Sequence, residues 1–216
     1  MNVFISGATG YLGSALAQAL LTRRHGVRGL VRPGSESKLP DGCEAVIGNP
    51  LDGLSFKPQG DVFVHLVGTP KPAPWKGRQF RAVDLPSLRA SVEAASRERI
   101  AQFVYVGVAH PAPVMKSYIA VRMECEEILR ASGLHSTVLR PWYVLGPGHL
   151  WPYALLPAYM LLEALPSTRD AALRLGLVTH AEITRALIWA IENPKSGLRI
   201  LSVATIRSKA KELPPA

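Results

Sequence analysis

The feature that most limits what this chain can fold into is Gly7-Ala8-Thr9-Gly10-Tyr11-Leu12-Gly13, set between an apolar run at residues 3–6 and a helical pattern that begins at Tyr11. The first glycine permits a tight turn out of a strand, the second lets another molecule approach the backbone, and the third lets the helix pack close to the sheet. The free amides and the positive dipole end of such a helix face an anion. The turn therefore predicts a phosphate-bearing cofactor held by Gly7, Thr9, Gly10, Tyr11, Leu12 and Gly13.

The rest of the chain keeps the same rhythm. Short apolar segments at residues 28–31, 45–47, 62–66, 103–106 and 135–139 alternate with helical patterns, and residues 200–203 make a late strand. Near-continuous apolarity, in place of strict alternation, suits parallel strands covered on both faces. Residues 11–25 form a helix with Gly26 as its terminator. Leu85, Leu88, Val92 and Ala95 share a second helical face, with Asp84 as cap and Pro86 in the first turn. Tyr118, Val121, Cys125, Ile128 and Leu129 share a third. Thr179-x-x-Glu182 is a capping box ahead of another helix, which Pro194 follows. Strand–helix alternation predicts an α/β fold with a doubly wound, mostly parallel sheet. It occupies one domain over residues 1–205, with a small C-terminal substrate-side region at 140–180 and a flexible basic tail at 206–216.

Composition narrows the function classes. With 48% apolar residues in 216, the chain can bury one substantial core. Lys and Arg number 25 against 16 Asp and Glu, a net charge of +9. Apart from Arg207, Lys209 and Lys211 the basic residues are scattered, and no helix-turn-helix, zinc-finger or RNA-binding signature accompanies them, so nucleic acid is not an expected partner. No apolar run reaches the roughly 18 residues of a membrane span. Met1-Asn2-Val3-Phe4-Ile5 lacks the basic start of a secretory signal. Cys43 and Cys125 form no disulfide framework or zinc quartet and are expected to be inert, and no other spacing suggests a metal. A cytoplasmic location follows as the expectation. Residues 151–165, WPYALLPAYMLLEAL, carry one charge, Glu163, and two prolines that argue against a spanning helix. They suit a core-packed helix, the wall of a substrate pocket, or a peripheral lipid or partner contact.

The end of the second strand distinguishes two dinucleotides. An acidic residue there binds a ribose 2′-hydroxyl, whereas an arginine accommodates a 2′-phosphate. Here the order is Val31-Arg32-Pro33-Gly34-Ser35-Glu36-Ser37-Lys38. Arg32 offers a phosphate-matched fork, the serines offer hydroxyls and Lys38 adds charge, which favours NADP over NAD. Glu36 is the competing partner for Arg32.

GATGYLG at 7–13, VR at 31–32, VFVHLVG at 62–68, FVYVGVAH at 103–110, YIAVR at 118–122 and RPWYVLGPG at 140–148 stand in an order that resembles the atypical or extended short-chain dehydrogenase/reductases. More narrowly, they resemble the branch containing nitrogen-metabolite-repressor-like and complex-I-associated proteins. The resemblance covers residues 1–195 and implies a Rossmann fold that binds NAD(P). It implies that His65, Leu66, Val67 and Gly68 line the adenosine and pyrophosphate, that Asn49 lies near the adenine, and that Pro141, Trp142, Tyr143 and Val144 lie near the nicotinamide. Tyr118 and Arg122 stand at the family's Tyr-x-x-x-Lys spacing, which implies Tyr118 as proton donor beside the cofactor and Arg122 as its electrostatic partner.

Three departures accompany these matches. Arginine replaces lysine, Gly107-Val108-Ala109 carries no hydroxyl where relatives place a serine, and Asp84 stands where relatives often have asparagine. Two functions compete accordingly: an NADP-dependent oxidoreductase of a small or moderately apolar carbonyl or alcohol, and a cofactor-binding sensor or assembly subunit without turnover. A peripheral membrane protein with a quinone-like ligand is the third. Relatives dimerise through helices at 85–98 and 115–132, which implies a homodimer. The charges on those helices, Arg89, Arg97, Arg99, Glu124, Glu126 and Glu127, are expected to form solvated faces, and His110 to be an ordinary loop residue.

Overall fold

In a computed structural model, which describes residues 1–146 and 169–213, the apolar segments form strands β1 (Asn2–Ser6), β2 (Gly26–Val31), β3 (Glu44–Ile47), β4 (Val62–His65), β5 (Gln102–Val106) and β6 (Ser136–Leu139). A short pair, β7 (Tyr143–Leu145) and β8 (Leu177–Thr179), lies apart, and β9 (Leu198–Leu201) returns to the main sheet. The seven strands run in the order β3-β2-β1-β4-β5-β6-β9, all parallel. The chain starts in the centre, moves outward through β2 and β3, and returns to the other side of β1 at β4. That reversal opens a crevice at the carboxyl ends of β1 and β4, where doubly wound sheets bind ligands.

Helices α1 (Tyr11–Thr22), α2 (Gly77–Gln79), α3 (Leu85–Arg97), α4 (Lys116–Ala131), α5 (Arg169–Arg174), α6 (His180–Glu192) and α7 (Val203–Lys211) flank the sheet. Leu16 and Leu20 of α1 meet Ile183, Leu187 and Ile191 of α6 over one face, against Ile5 and Val64. On the other face Leu88, Val121 and Leu129 pack on Phe4, Phe63 and Phe103. Phe63 stacks on Phe103 with ring centroids 5.0 Å apart. Burial on both faces explains the apolar runs Val3–Ile5, Val62–Val64 and Phe103–Val106 within β1, β4 and β5, while edge strand β3 is mostly exposed. The capping box forms as expected, with the Thr179 hydroxyl accepting from the Glu182 amide.

Three local expectations need correction. Helix α1 ends at Thr22 because Arg24 takes the left-handed conformation (φ 64°), and the His25 amide closes the end on Leu20 O at 3.0 Å. Gly26 is instead the first residue of β2. Asp84 is no cap: the chain is already helical from Gly77, through a π-helical turn at Phe80–Asp84 into α3. The widened turn lies where Pro86 would otherwise crowd the carbonyl of Ala82.

The third correction is to the tail. Residues 203–211 form α7, whose Ser202 cap accepts from the Thr205 amide at 3.3 Å and whose Ile206 and Ala210 are buried. Arg207 donates twice to Leu177 O, at 2.9 and 2.7 Å, and Lys209 lies over the Trp189 ring. The basic run is one face of a docked helix, hidden in the sequence because its apolar face is only Val203, Ile206 and Ala210. Residues 151–165 lie outside the described residues. No helix among the described residues is long and apolar enough to cross a membrane.

His65 also sits differently from expectation. It is buried, with Nδ1 2.9 Å from the hydroxyls of both Ser6 and Ser91, and its ring lies against Phe103 and Tyr105. It belongs to the core and not to a cofactor surface. Burial, reinforced by the charge of Arg122, pushes its pKa from 6.5 down to about 3. Between those values the unfolded chain binds a proton that the folded protein does not. The stability from this group is therefore complete above roughly the unfolded value and declines as pH falls toward the folded one, by about 1.4 kcal/mol per pH unit. Urea unfolding across this range should show that slope, and His65→Gln should remove it. An identical pH dependence in the variant would mean that His65 titrates normally in the fold.

Candidate functional site

The glycine turn is shaped by contacts that exclude side chains. Gly7 has φ 85°, and a Cβ there would lie 2.9 Å from the backbone carbon of Leu66, so the turn is pressed against the chain leaving β4. A Cβ on Gly13 would overlap the Gly7 carbonyl, so helix and turn are in direct contact. Gly10 caps α1 without a side-chain hydrogen bond, and no acidic residue occupies the first turn. No capping side chain or first-turn carboxylate therefore takes up the Leu12 and Gly13 amides at this end, which can serve an outside acceptor. A Cβ on Gly10 would meet, among the described residues, only Gly7 O at 3.1 Å and would otherwise project into open space. An acid-free helix start behind a glycine cradle fits a pyrophosphate.

Beside the turn, at the carboxyl ends of the central strands, lies a cleft of ≈ 550 Å³. Among the expected residues, Tyr11, Leu12, Leu66, Val67, Gly68, Tyr118, Arg122, Pro141, Trp142, Tyr143 and Val144 line it. Thr69, Lys71, Pro72, Val106, Gly107, Val108 and Met115 line it too, and sequence reasoning did not find them. The β7–β8 pairing fixes the chain at Tyr143 and Val144. Two three-residue strands far apart in sequence leave no readable pattern.

Gly7, Thr9, Gly10, Gly13, Arg32 and Asn49 do not line this cleft. The first four form the adjoining turn. Arg32 is exposed directly after β2 and makes no ion pair among the described residues, Glu36 included. Arg28 is instead paired, with Glu44 at 2.8 Å and with Gln59. Asn49 is exposed after β3 and accepts the Leu51 amide at 3.0 Å, so its side-chain oxygen holds its own turn.

Tyr118 and Arg122 reach the cleft from successive turns of α4, with the guanidinium 5.0 Å from the tyrosine ring centre. Arg122 is buried. It donates to Asp84 Oδ1 at 2.7 Å, to the Tyr105 hydroxyl at 3.0 Å and to Val106 O at 3.2 Å. The other Asp84 oxygen accepts from the Thr69 amide at 3.0 Å and the Thr69 hydroxyl at 2.5 Å. Burial works against the Arg122 charge, but Tyr105, Tyr118 and Asp84 outweigh it, and the group stays protonated far above neutral pH. The site thus places a phenol beside a permanent cation. The contacts of Asp84 and Tyr105 with Arg122 escaped the sequence reading because they depend on a helix start and a strand face that spacing does not show.

A Cβ on Gly107 would lie 2.8 Å from Glu126 Oε1, so a side chain there would require the Glu126 carboxylate to move. Glu126 is buried and not a solvated face: Arg140 Nε donates to its two oxygens at 3.0 and 3.1 Å. His110 Nε2 lies 4.0 Å from it, and burial, then the Arg140 charge, lowers the His110 pKa. Other charges expected on solvated faces pair within the chain, as Glu124 does with Arg81 at 3.2 Å and Arg89 at 3.4 Å. Burial pushes both thiols up to about 11, which leaves neither as a thiolate at neutral pH. No group of three or more metal-ligating side chains occurs among the described residues.

Removing one partner of a buried ion pair typically costs about 3–5 kcal/mol. Asp84→Asn keeps the shape and removes the charge, so urea unfolding should register a loss of that order. A loss within the about 0–1 kcal/mol of an exposed pair would show that the Asp84–Arg122 contact is solvent-screened.

Residues 7–148 match the NAD(P)H-binding family. A ceramide reductase of Caulobacter vibrioides (strain NA1000 / CB15N) is 29% identical over 208 residues, covering 93% of this chain, which spans 64% of that protein's length. The Bordetella bronchiseptica enzyme WbmH, solved in complex with NAD+, superposes with a TM-score of 0.68 at 23% identity over 93% of this chain and 75% of that one. A short-chain dehydrogenase/reductase superfamily protein of Agrobacterium tumefaciens with bound NAD gives 0.68 at 18% identity, over 97% and 81%. With its glycine turn and strand order, the chain belongs to the NAD(P)H-binding family and has a Rossmann fold.

Proposed function

We propose that the protein is an NADP(H)-dependent oxidoreductase acting on an apolar carbonyl or the corresponding alcohol. The observation that carries this is the Tyr118 phenol, set beside the buried Arg122 cation in a cleft walled by Leu12, Val106, Val108, Met115 and Trp142. Gly7, Thr9, Gly10, Tyr11, Leu12 and Gly13 hold the pyrophosphate, Arg32 the 2′-phosphate, Leu66, Val67 and Gly68 the adenosine side, and Asn49 lies by the adenine. Pro141, Trp142, Tyr143 and Val144 border the nicotinamide, which when bound supplies the hydride. Tyr118 delivers the proton from its hydroxyl to the substrate oxygen, and Arg122 stabilises the phenolate left behind. The apolar walls exclude water from the reacting atoms. The likeness to a ceramide reductase supports an apolar substrate.

A second reading, a cofactor-binding protein without turnover, is favoured by two details. Gly107 leaves no hydroxyl to orient a substrate, and the Arg122 fork is occupied by Asp84 and Tyr105.

Arg32→Ala should weaken NADPH binding about 10- to 150-fold, the worth of a charge-assisted phosphate contact, and leave NADH affinity unchanged in calorimetry. Equal affinities for the two cofactors before mutation would remove Arg32 as a 2′-phosphate ligand. Single-turnover oxidation of bound NADPH across a panel of apolar carbonyls tests the reaction. Tyr118→Phe should slow it by about 10²–10⁴-fold while NADPH affinity holds. Tight NADPH binding with no carbonyl consumed would establish the second reading.

A further inference from the structure

Two loops meet at one side of the cleft and share a basic, acid-free composition. Lys71 and Pro72 line the cleft from the first loop and Met115 from the second. The first continues into the turn Pro74–Lys76, which packs on α4, and a Cβ on Gly77 would touch Ser117 at 3.4 Å. Residues 69–83 and 107–123 together contain no Asp or Glu. Lys71, Arg78 and Lys116 are exposed without a partner among the described residues, and Lys76 bonds only to Pro70 O, at 2.8 Å. Among these cations stands Trp75, 83% exposed, with Val114 51% exposed on the second loop.

We propose that this rim docks on an anionic lipid bilayer, so that the cleft opens toward the membrane surface. A cluster of unpaired cations is drawn to anionic headgroups. An indole with an apolar body and an N–H donor is the side chain that settles at the headgroup level. A soluble phosphate would account for the lysines and leave Trp75 and Val114 facing water for no return. The charge pattern and the apolar residues point to the same partner, and neither depends on the segment at 151–165. Contact of this kind is peripheral and would let an apolar compound pass from lipid into the cleft without crossing water.

The test is flotation of the intact protein with vesicles of equal parts phosphatidylglycerol and phosphatidylcholine, against phosphatidylcholine alone. Binding is expected to the anionic vesicles only. Trp75→Ala should lower it roughly tenfold, as expected for one buried aromatic side chain. The triple variant Lys76→Gln, Arg78→Gln, Lys116→Gln should lower it on the order of 100-fold, at about fivefold for each charge. Leu54→Ala, which removes an exposed apolar side chain elsewhere, should change nothing. Absence of flotation, equal binding to neutral vesicles, or indifference to both rim variants would overturn the proposal. So would sensitivity to the charges without sensitivity to Trp75, which marks a plain anion site. Vesicle binding is read without turnover, and NADPH titration of the same variants keeps its outcome separate from that of the oxidoreductase proposal.

Discussion

The constraint on which the site depends is the contact between Gly7 and the backbone of Leu66. The chain leaves β1 in a left-handed turn with no room for a side chain, because β4 exits beside it at the reversal of the sheet. That contact places the start of α1 against the crevice and puts Leu66, Val67 and Gly68 on the cleft wall. The binding geometry follows from the topology: a sheet that reverses between β1 and β4, and a glycine where the two ends meet.

Chemistry beside the turn is set by two buried ion pairs. Asp84–Arg122 fixes a cation under Tyr118 and ties it to α3, β5 and the Thr69 loop, so the charge is held more rigidly than a lysine's single ammonium could be. Glu126–Arg140 takes the space beside Gly107. Asp84 and Arg122 bond to each other and also to Thr69, Tyr105 and Val106, and such added hydrogen bonds are the condition for retaining charges in a core. In this chain the departures from the expected pattern are in physical contact: Arg122 is held by Asp84, and Glu126 lies against Gly107.

What the sequence made legible was whatever is local. Strands β1, β4 and β5, the glycine turn, the capping box at Thr179 and Glu182, and the Tyr118–Arg122 spacing all depend on neighbours within a few residues. What it concealed depends on tertiary partners. The helix from Gly77 could not be seen because its start is loop-like in composition, so Asp84 took the appearance of a cap. Helix α7 has too narrow an apolar face to announce itself, and its basic residues suggested a tail. The resemblance placed His65 on the cofactor wall, yet strand alternation puts it on the Phe63 face of β4, against Ser6 and Ser91 in the core. The cleft-lining residues Val106 and Val108, at and just beyond the end of β5, meet Met115, before α4, only through the tertiary fold.

The central claim is that the turn at residues 7–13 binds the dinucleotide through its backbone. Gly10 allows this to be tested cleanly: its extended conformation (φ −80°, ψ 174°) accepts a β-branched residue, and a Cβ there would point into the space in front of the helix. Calorimetric titration of Gly10→Val with NADPH, beside its urea unfolding curve, is the most direct measurement. A folded variant of near-unchanged stability that no longer binds NADPH is the result expected. A folded variant with undiminished NADPH affinity would contradict the account.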